Sequence, residues 1–327
     1  MKAKSVFGAC LAVAILGIGQ ADAKDVWRGY TYVGGIDQVP YQQMEVMAKT
    51  LQSETKGALV IKISPPGSLP IDTQTITQAV GDGILQIADD GFAVGNVPLN
   101  GIPRLPLLIK DEAEAKLVLK VLRPYFEKAY AKLGAIVLGD YVYPAQTIWS
   151  SAKLTSLADL KGQKIRVTSP EQGEFIKRMG ATPVSIGAPD VPSALQTGVV
   201  QGLLTASAGG GILWKDQLKY NYRFPVSYFH SLMIVNADAF KRLSPANQDV
   251  VRKVLEEGSG TVTVKMRENE DRLTREFAQK GMIVTPVDEN DLKQAAKTFA
   301  DYWDTWGKKQ SPEVREALGK VREALKR

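Results

Sequence analysis

Ser156-Leu-Ala-Asp-Leu-Lys-Gly-Gln-Lys-Ile-Arg-Val167, followed by Ala194-Leu-Gln-Thr-Gly-Val-Val-Gln-Gly202, is the stretch whose reading decides the fold. Lys164-Ile165-Arg166-Val167 reads as a short buried strand that Thr168-Ser169-Pro170 ends at once. Ser169 and Gln172 stand three apart with Pro170 between them, the spacing of a capping box with proline at the first helical position. Arg166 is therefore expected beside a helix N-terminus, where free N–H groups and the helix dipole favour an anion. Its planar fork of donors matches a carboxylate in a way that lysine does not. The Ala194–Gly202 stretch reads as a second helix-to-strand unit.

Around this centre the chain alternates strands and helices. Val26 to Tyr32 reads as a strand and Gly34-Gly35-Ile36-Asp37 as a loop. Pro40 opens a helix with Tyr41, Met44, Met47, Ala48 and Leu51 at helical period. Leu59 to Ile63 returns as a strand, Thr73 to Val80 is helical, and Ile84 to Ala88 leads into Asp89-Asp90-Gly91-Phe92. This alternation predicts α/β architecture with helices on the sheet faces and ligands at the carboxyl ends of strands. Ser244-Pro245 starts a long helix towards Lys280-Gly281, in which Gly258 and Gly260 mark an expected kink. Asn290 to Trp306 reads as one helix with Leu292, Ala295, Phe299, Trp303 and Trp306 on one face. Gly209-Gly210-Gly211 reads as a flexible connection.

The segments Asp159–Arg166 and Ala194–Gly202 resemble those of the periplasmic solute-binding proteins of tripartite ATP-independent periplasmic (TRAP) transporters. The early Trp27 strand, the Thr55-Lys56-Gly57 turn, Gly67-Ser-Leu-Pro70 and Leu105-Pro106 extend the resemblance over nearly the whole chain after residue 23. It implies a two-lobed, type II-like periplasmic-binding-protein fold, with mixed sheets flanked by helices and a long helix linking the lobes. The expected division is residues 24–145 plus 232–270 for lobe I and 146–231 plus 271–327 for lobe II. In that family an arginine placed like Arg166 holds the substrate carboxylate. A second arginine about twenty residues earlier in several members is matched here by Gln146, the family's asparagine by Thr205, and its aspartate by Gln201. Expected partners are a small organic acid, aromatic acids among the possibilities, and the integral membrane subunits of a TRAP transporter, with the chain a monomer. A periplasmic receptor that docks to a signalling sensor domain would use the same binding chemistry.

The first 23 residues read as a secretory signal peptide, with Lys2 and Lys4, an apolar core from Val6 to Ile18 and the cleavage pattern Ala21-Asp22-Ala23. The chain is accordingly expected in the periplasm, and its lone Cys10 falls in the discarded leader. The formal net charge is +6, with basic and acidic residues interleaved rather than clustered, which argues against nucleic-acid binding. His230 is the one histidine, so no multi-histidine zinc site is expected, and no nucleophile elbow or phosphate loop appears. Adjacent Asp89 and Asp90 alternate in direction along a strand, so they are not expected to share a site. We therefore expect a binding protein without catalytic residues, metal or cofactor. Its pocket is expected to combine Arg166, Thr168 and Ser169 with Tyr143, Gln146, Thr205 and Tyr228. Gly35, Asp37, Gln38, Asp90 and Phe92 would face them from the other lobe. Trp149 is expected to join this wall, and Arg104 and Arg223 are the cations that would restore a second anion site if they reached it.

Overall fold

The computed structural model describes residues 24–327, so the expected signal peptide and Cys10 lie outside the described residues. The strands are β1 (Asp25–Thr31), β2 (Leu59–Ile63), β3 (Ile87–Asp90), β4 (Ala135–Val142), β5 (Gln146–Ser150), β6 (Lys164–Val167), β7 (Thr182–Ser185), β8 (Gly202–Thr205), β9 (Tyr220–Ser227), β10 (His230–Asn236) and β11 (Ile283–Thr285). The helices are α1 (Val39–Glu54), α2 (Ile76–Gly81), α3 (Glu112–Ala131), α4 (Pro170–Arg178), α5 (Val191–Gln196), α6 (Ile212–Trp214), α7 (Ala237–Arg242), α8 (Pro245–Gln279), α9 (Glu289–Thr298), α10 (Tyr302–Lys308) and α11 (Pro312–Ala324).

Two mixed sheets form, in the orders β2-β1-β3-β10-β4 and β11-β9-β5-β8-β6-β7. In the first, β1 runs parallel to β2 and β3, while β10 is antiparallel to β3 and β4. In the second, β6 is parallel to β7 and β8, and β5 is antiparallel to β8 and β9. The chain passes between the sheets after β4, after β9 and, through α8, after β10. The result is the expected two-lobed α/β architecture.

Helix α8 spans both units. Ser244 caps it by accepting from Asn247 N–H at 3.3 Å, and its 35 residues extend about 50 Å at the rise of an α-helix. It packs on α1 and β4 of the first unit and on the Ser207–Gly211 turn of the second. The helix runs through Gly258 and Gly260 without interruption, so these residues do not break it. Gly258 sits where a Cβ would overlap the Met47 side chain of α1, and a Cβ on Gly139 of β4 would overlap Ser259. Glycine here permits close packing rather than a kink.

The expected helix from Asn290 to Trp306 is two helices, α9 and α10, broken at Phe299–Asp301. Phe299 turns inward to stack on Phe175 with ring centroids 5.4 Å apart. The expected lobe division also shifts. β10 joins the first sheet from His230 rather than from residue 232. Helix α11 returns to α3, where Tyr125 donates to Glu316 at 2.9 Å and Lys128 pairs with Glu313 at 3.0 Å. The last helix thus lies with the first unit, although residues 271–327 are expected with the second.

Candidate functional site

The site begins with the turn that precedes β6. Gly162 adopts φ +80°, a backbone geometry that favours glycine. Buried Gln163 then secures the turn, its Nε2 donating to the carbonyls of Lys153 and Asp159 at 3.1 and 2.8 Å. From this anchored start β6 delivers Arg166 to a closed position, only 3 % exposed. Its Nε donates to the Ile186 carbonyl at 3.0 Å, and its guanidinium carbon lies 5.7 Å from the Trp214 ring centroid. Nη2 is buried and has no partner. Burial first, and the neighbouring Arg104 second, pull this guanidinium down to about 10, so it remains charged at neutral pH. An unpartnered buried donor on a cation is a strong demand for an anionic acceptor.

Helix α4 begins as its sequence implies, but its capping groups are used internally. Ser169 Oγ accepts from Gln172 N–H at 3.3 Å. Gln172 Oε1 in turn accepts from both Thr168 N–H, at 2.9 Å, and Thr168 Oγ1, at 2.8 Å. Thr168 lines the cleft, yet its donors are committed and Ser169 lies outside the lining. Neither is the free donor to a ligand that the sequence suggests.

The cleft between the two sheets holds about 430 Å³ of space between its walls, open solvent at its mouth included. Seven of the expected residues meet there: Gln38, Phe92, Tyr143, Gln146, Arg166, Thr168 and Thr205. Five do not. Asp37 is exposed, and Gly34 rather than Gly35 borders the space. Asp90 is buried beneath, bonded by Thr77 and by Tyr130. Ser169 is the helix cap, and Tyr228 points away to donate to the Lys110 carbonyl at 3.4 Å. Trp149 is likewise absent from the lining; its Nε1 donates to the Thr205 carbonyl at 3.0 Å. Gln201, at the family's aspartate position, accepts from Lys164 N–H at 2.8 Å and so ties strands together outside the cleft.

Tyr32, Phe229 and Trp214 are lining residues that the sequence reading missed. Tyr32 directly follows the carboxyl end of β1, where the general rule for open α/β sheets places ligands. Phe229 replaces Tyr228 because the chain is crossing between sheets and side-chain direction there depends on both strands. Trp214 follows the triple glycine. That segment is a buried turn, not an open connection: Gly209 leaves helical geometry with φ −89° and ψ −120°, and a Cβ on Gly210 would overlap the Trp214 ring.

The aromatic wall is mutually supporting. Tyr32 and Phe229 have centroids 5.7 Å apart, and Tyr143 meets Phe229 edge-on at 5.1 Å. Tyr32 donates to Tyr143 at 2.9 Å, which leaves the Tyr143 hydroxyl proton free. Behind them Tyr141 donates to buried Asp89, which also accepts from Thr31 at 2.9 Å and Ser231 at 2.5 Å. Asp89 and Asp90 thus occupy separate polar nests, as their alternation requires. Burial pushes each of these carboxyls up to about 6. Among the lining residues Arg166 is the one charged side chain. Arg223 is drawn away by an ion pair with Glu270 at 2.9 Å.

Residues 32–310 match the family described as bacterial extracellular solute-binding protein, family 7. The chain is 23% identical over 286 residues to the sialic acid-binding periplasmic protein of Vibrio cholerae, covering 83% of this chain and 86% of that one. It is 26% identical over 266 residues to the ectoine-binding periplasmic protein of Halomonas elongata, covering 77% and 75%. Among solved structures, a Bordetella pertussis extracytoplasmic solute receptor binding pyroglutamic acid is 27% identical and superposes with a TM-score of 0.84 over 91% of this chain and 99% of that one. A TRAP solute-binding protein of Rhodoferax ferrireducens in complex with copurified benzoate shares the fold, with a TM-score of 0.84 over 93% of this chain and 98% of that one at 16% identity. Both lobes, the long helix and the cleft between the sheets are therefore those of a known binding architecture, and the chain belongs to family 7 of the bacterial extracellular solute-binding proteins, the solute receptors of TRAP transporters.

Proposed function

We propose that this chain is a periplasmic receptor for a small monocarboxylic acid with an apolar or planar ring body, and that it delivers this ligand to the membrane subunits of a TRAP transporter. The observation that carries the reading is the unpartnered Nη2 of buried Arg166 in a cleft otherwise walled by aromatic rings and neutral polar groups. Arg166 would take the carboxylate, and the free Tyr143 proton would take a second oxygen. Tyr32, Phe92, Phe229 and Trp214 would hold the body by edge and face contacts. Pyroglutamic acid and benzoate, the ligands of two structural relatives, are both small ring-bearing monocarboxylic acids.

Closure would bring the two sheets together about the segments following β4 and β9, because ligand contacts from both units favour the closed state over the open one. A receptor of this extracellular solute-binding family would do this work outside the cytoplasm. Native mass spectrometry of the freshly purified protein would show any retained acid. A thermal-shift panel of benzoate, L-pyroglutamate, glucuronate and succinate tests the class, since binding stabilises a fold by mass action. Stabilisation by a monocarboxylate in the wild type and its loss in Arg166→Ala supports the reading. Full stabilisation surviving in Arg166→Ala removes Arg166 from the site.

A further inference from the structure

A second arginine stands behind the cleft. Arg104, at the end of the Pro98–Arg104 turn of the first unit, is 0 % exposed yet lines no part of the ligand space. Its Nη1 donates across to the second unit, to Thr168 O and Thr168 Oγ1, both at 3.3 Å. Nη2 donates to the Gly91 carbonyl of its own unit, and Nε is buried without a partner. Its guanidinium carbon lies 4.2 Å from the centroid of Phe229, a ring that walls the cleft.

Arg104 and Arg166 therefore share one desolvated region, and their hydrogen bonds go to the oxygens of Thr168, Gly91 and Ile186, none of which carries a charge. Glu171 and, more weakly, Asp90 are the carboxylates that attract Arg104, and among the described residues neither forms an ion pair with it. Glu171 accepts from Trp306 Nε1 at 2.9 Å through Oε1, and its Oε2 is buried without a partner. The two cations lie in one buried region, and neither donates a hydrogen bond to a carboxylate.

We propose that Arg104 is a selectivity residue that never touches the ligand: its charge, held behind the Phe229 wall and bonded across the lobes to Thr168, makes closure depend on a negatively charged occupant. This rests on the carboxylate reading of the cleft. Arg166 supplies the contact, and Arg104 supplies field and a cross-lobe bond. A like-signed charge one layer back, at an effective dielectric near 20, is worth on the order of tenfold in anion affinity.

The test compares acids with their primary amides, benzoate with benzamide and L-pyroglutamate with its amide, by calorimetry on the full chain. In the wild type the acid should bind far more tightly than the amide. Arg104→Gln keeps N–H donors but removes the charge. It should cut acid affinity about tenfold and leave amide affinity unchanged or higher, while Arg104→Lys should keep most of the preference. Equal losses for acid and amide in Arg104→Gln would assign Arg104 a purely structural role and overturn the inference. Arg166→Gln tests the same point without disturbing Arg104: a residual preference for the acid supports the inference, and its complete disappearance overturns it. A wild type that binds no acid in this set or in the wider panel overturns the carboxylate reading and this inference with it.

Discussion

Gln38 donates across the cleft to the Gly209 carbonyl at 3.2 Å, while its own side-chain oxygen accepts from Gly34 N–H at 2.8 Å. One neutral side chain thus joins the loop before α1 to the buried turn after β8, and it does so at the edge of the ligand space. The receiving turn is held in place by Glu270 of α8, whose carboxylate accepts from Ala208 N–H at 2.8 Å.

Gln38→Ala should loosen the closed state without disturbing the fold. A neutral hydrogen bond contributes about 0.5–1.5 kcal/mol, so affinity should fall by about 2- to 12-fold, chiefly through faster release. Stopped-flow release of a bound acid measures this directly. An unchanged release rate would mean that the Gln38–Gly209 bond does not hold the closed form.

Arg166→Ala should cost roughly 1.5–3 kcal/mol of binding, the worth of a hydrogen bond to a charged group, or about 10- to 150-fold in affinity. Arg166→Lys keeps the charge but loses the planar fork, the Ile186 bond and the geometry over Trp214, so it should recover only part of that loss. Calorimetry on both variants, with circular dichroism to confirm folding, decides the matter. A lysine variant equal to the wild type would show that charge alone suffices.

Ligands with a second carboxylate should bind poorly. Arg166 is the one charged lining residue, and a second anion would be desolvated against rings without a donor to receive it. Pairing benzoate with phthalate, and pyroglutamate with glutamate, in a thermal-shift assay should show stabilisation by the first member only. Preference for the dicarboxylates would indicate that another cation enters the cleft.

Stability should depend on pH through Asp89. Its folded-state value, raised to about 6 by burial, means that the folded chain holds this proton more tightly than the unfolded chain. The stabilisation is full below the ordinary carboxylate value near 4 and is lost as pH rises through about 6. Between about pH 7.5 and pH 5.5 the wild type should gain on the order of 1 kcal/mol relative to Asp89→Asn, which no longer titrates there. Urea unfolding at the two pH values reads this difference, and parallel behaviour of the two proteins would exclude Asp89 as its source.

Much of this protein was legible in its sequence because the signals are local. Period and flanking residues placed β2 and β6 at their observed bounds and located the caps of α4 and α8. Arg166 at a strand end beside a capped helix pointed to the cleft that it lines. Tertiary structure alone decided which neighbours share that cleft. Tyr228 and Phe229 are adjacent, and only the crossing between sheets determines which ring enters the cleft. Thr168 and Ser169 look like free donors until Gln172 and Arg104 are folded against them. Gly258 reads as a weak point in a helix until Met47 is packed upon it. Trp214 and Arg104 lie far from Arg166 in the chain, and what draws them beside it, the burial of rings and of charges, is the least local of the forces that shape the fold.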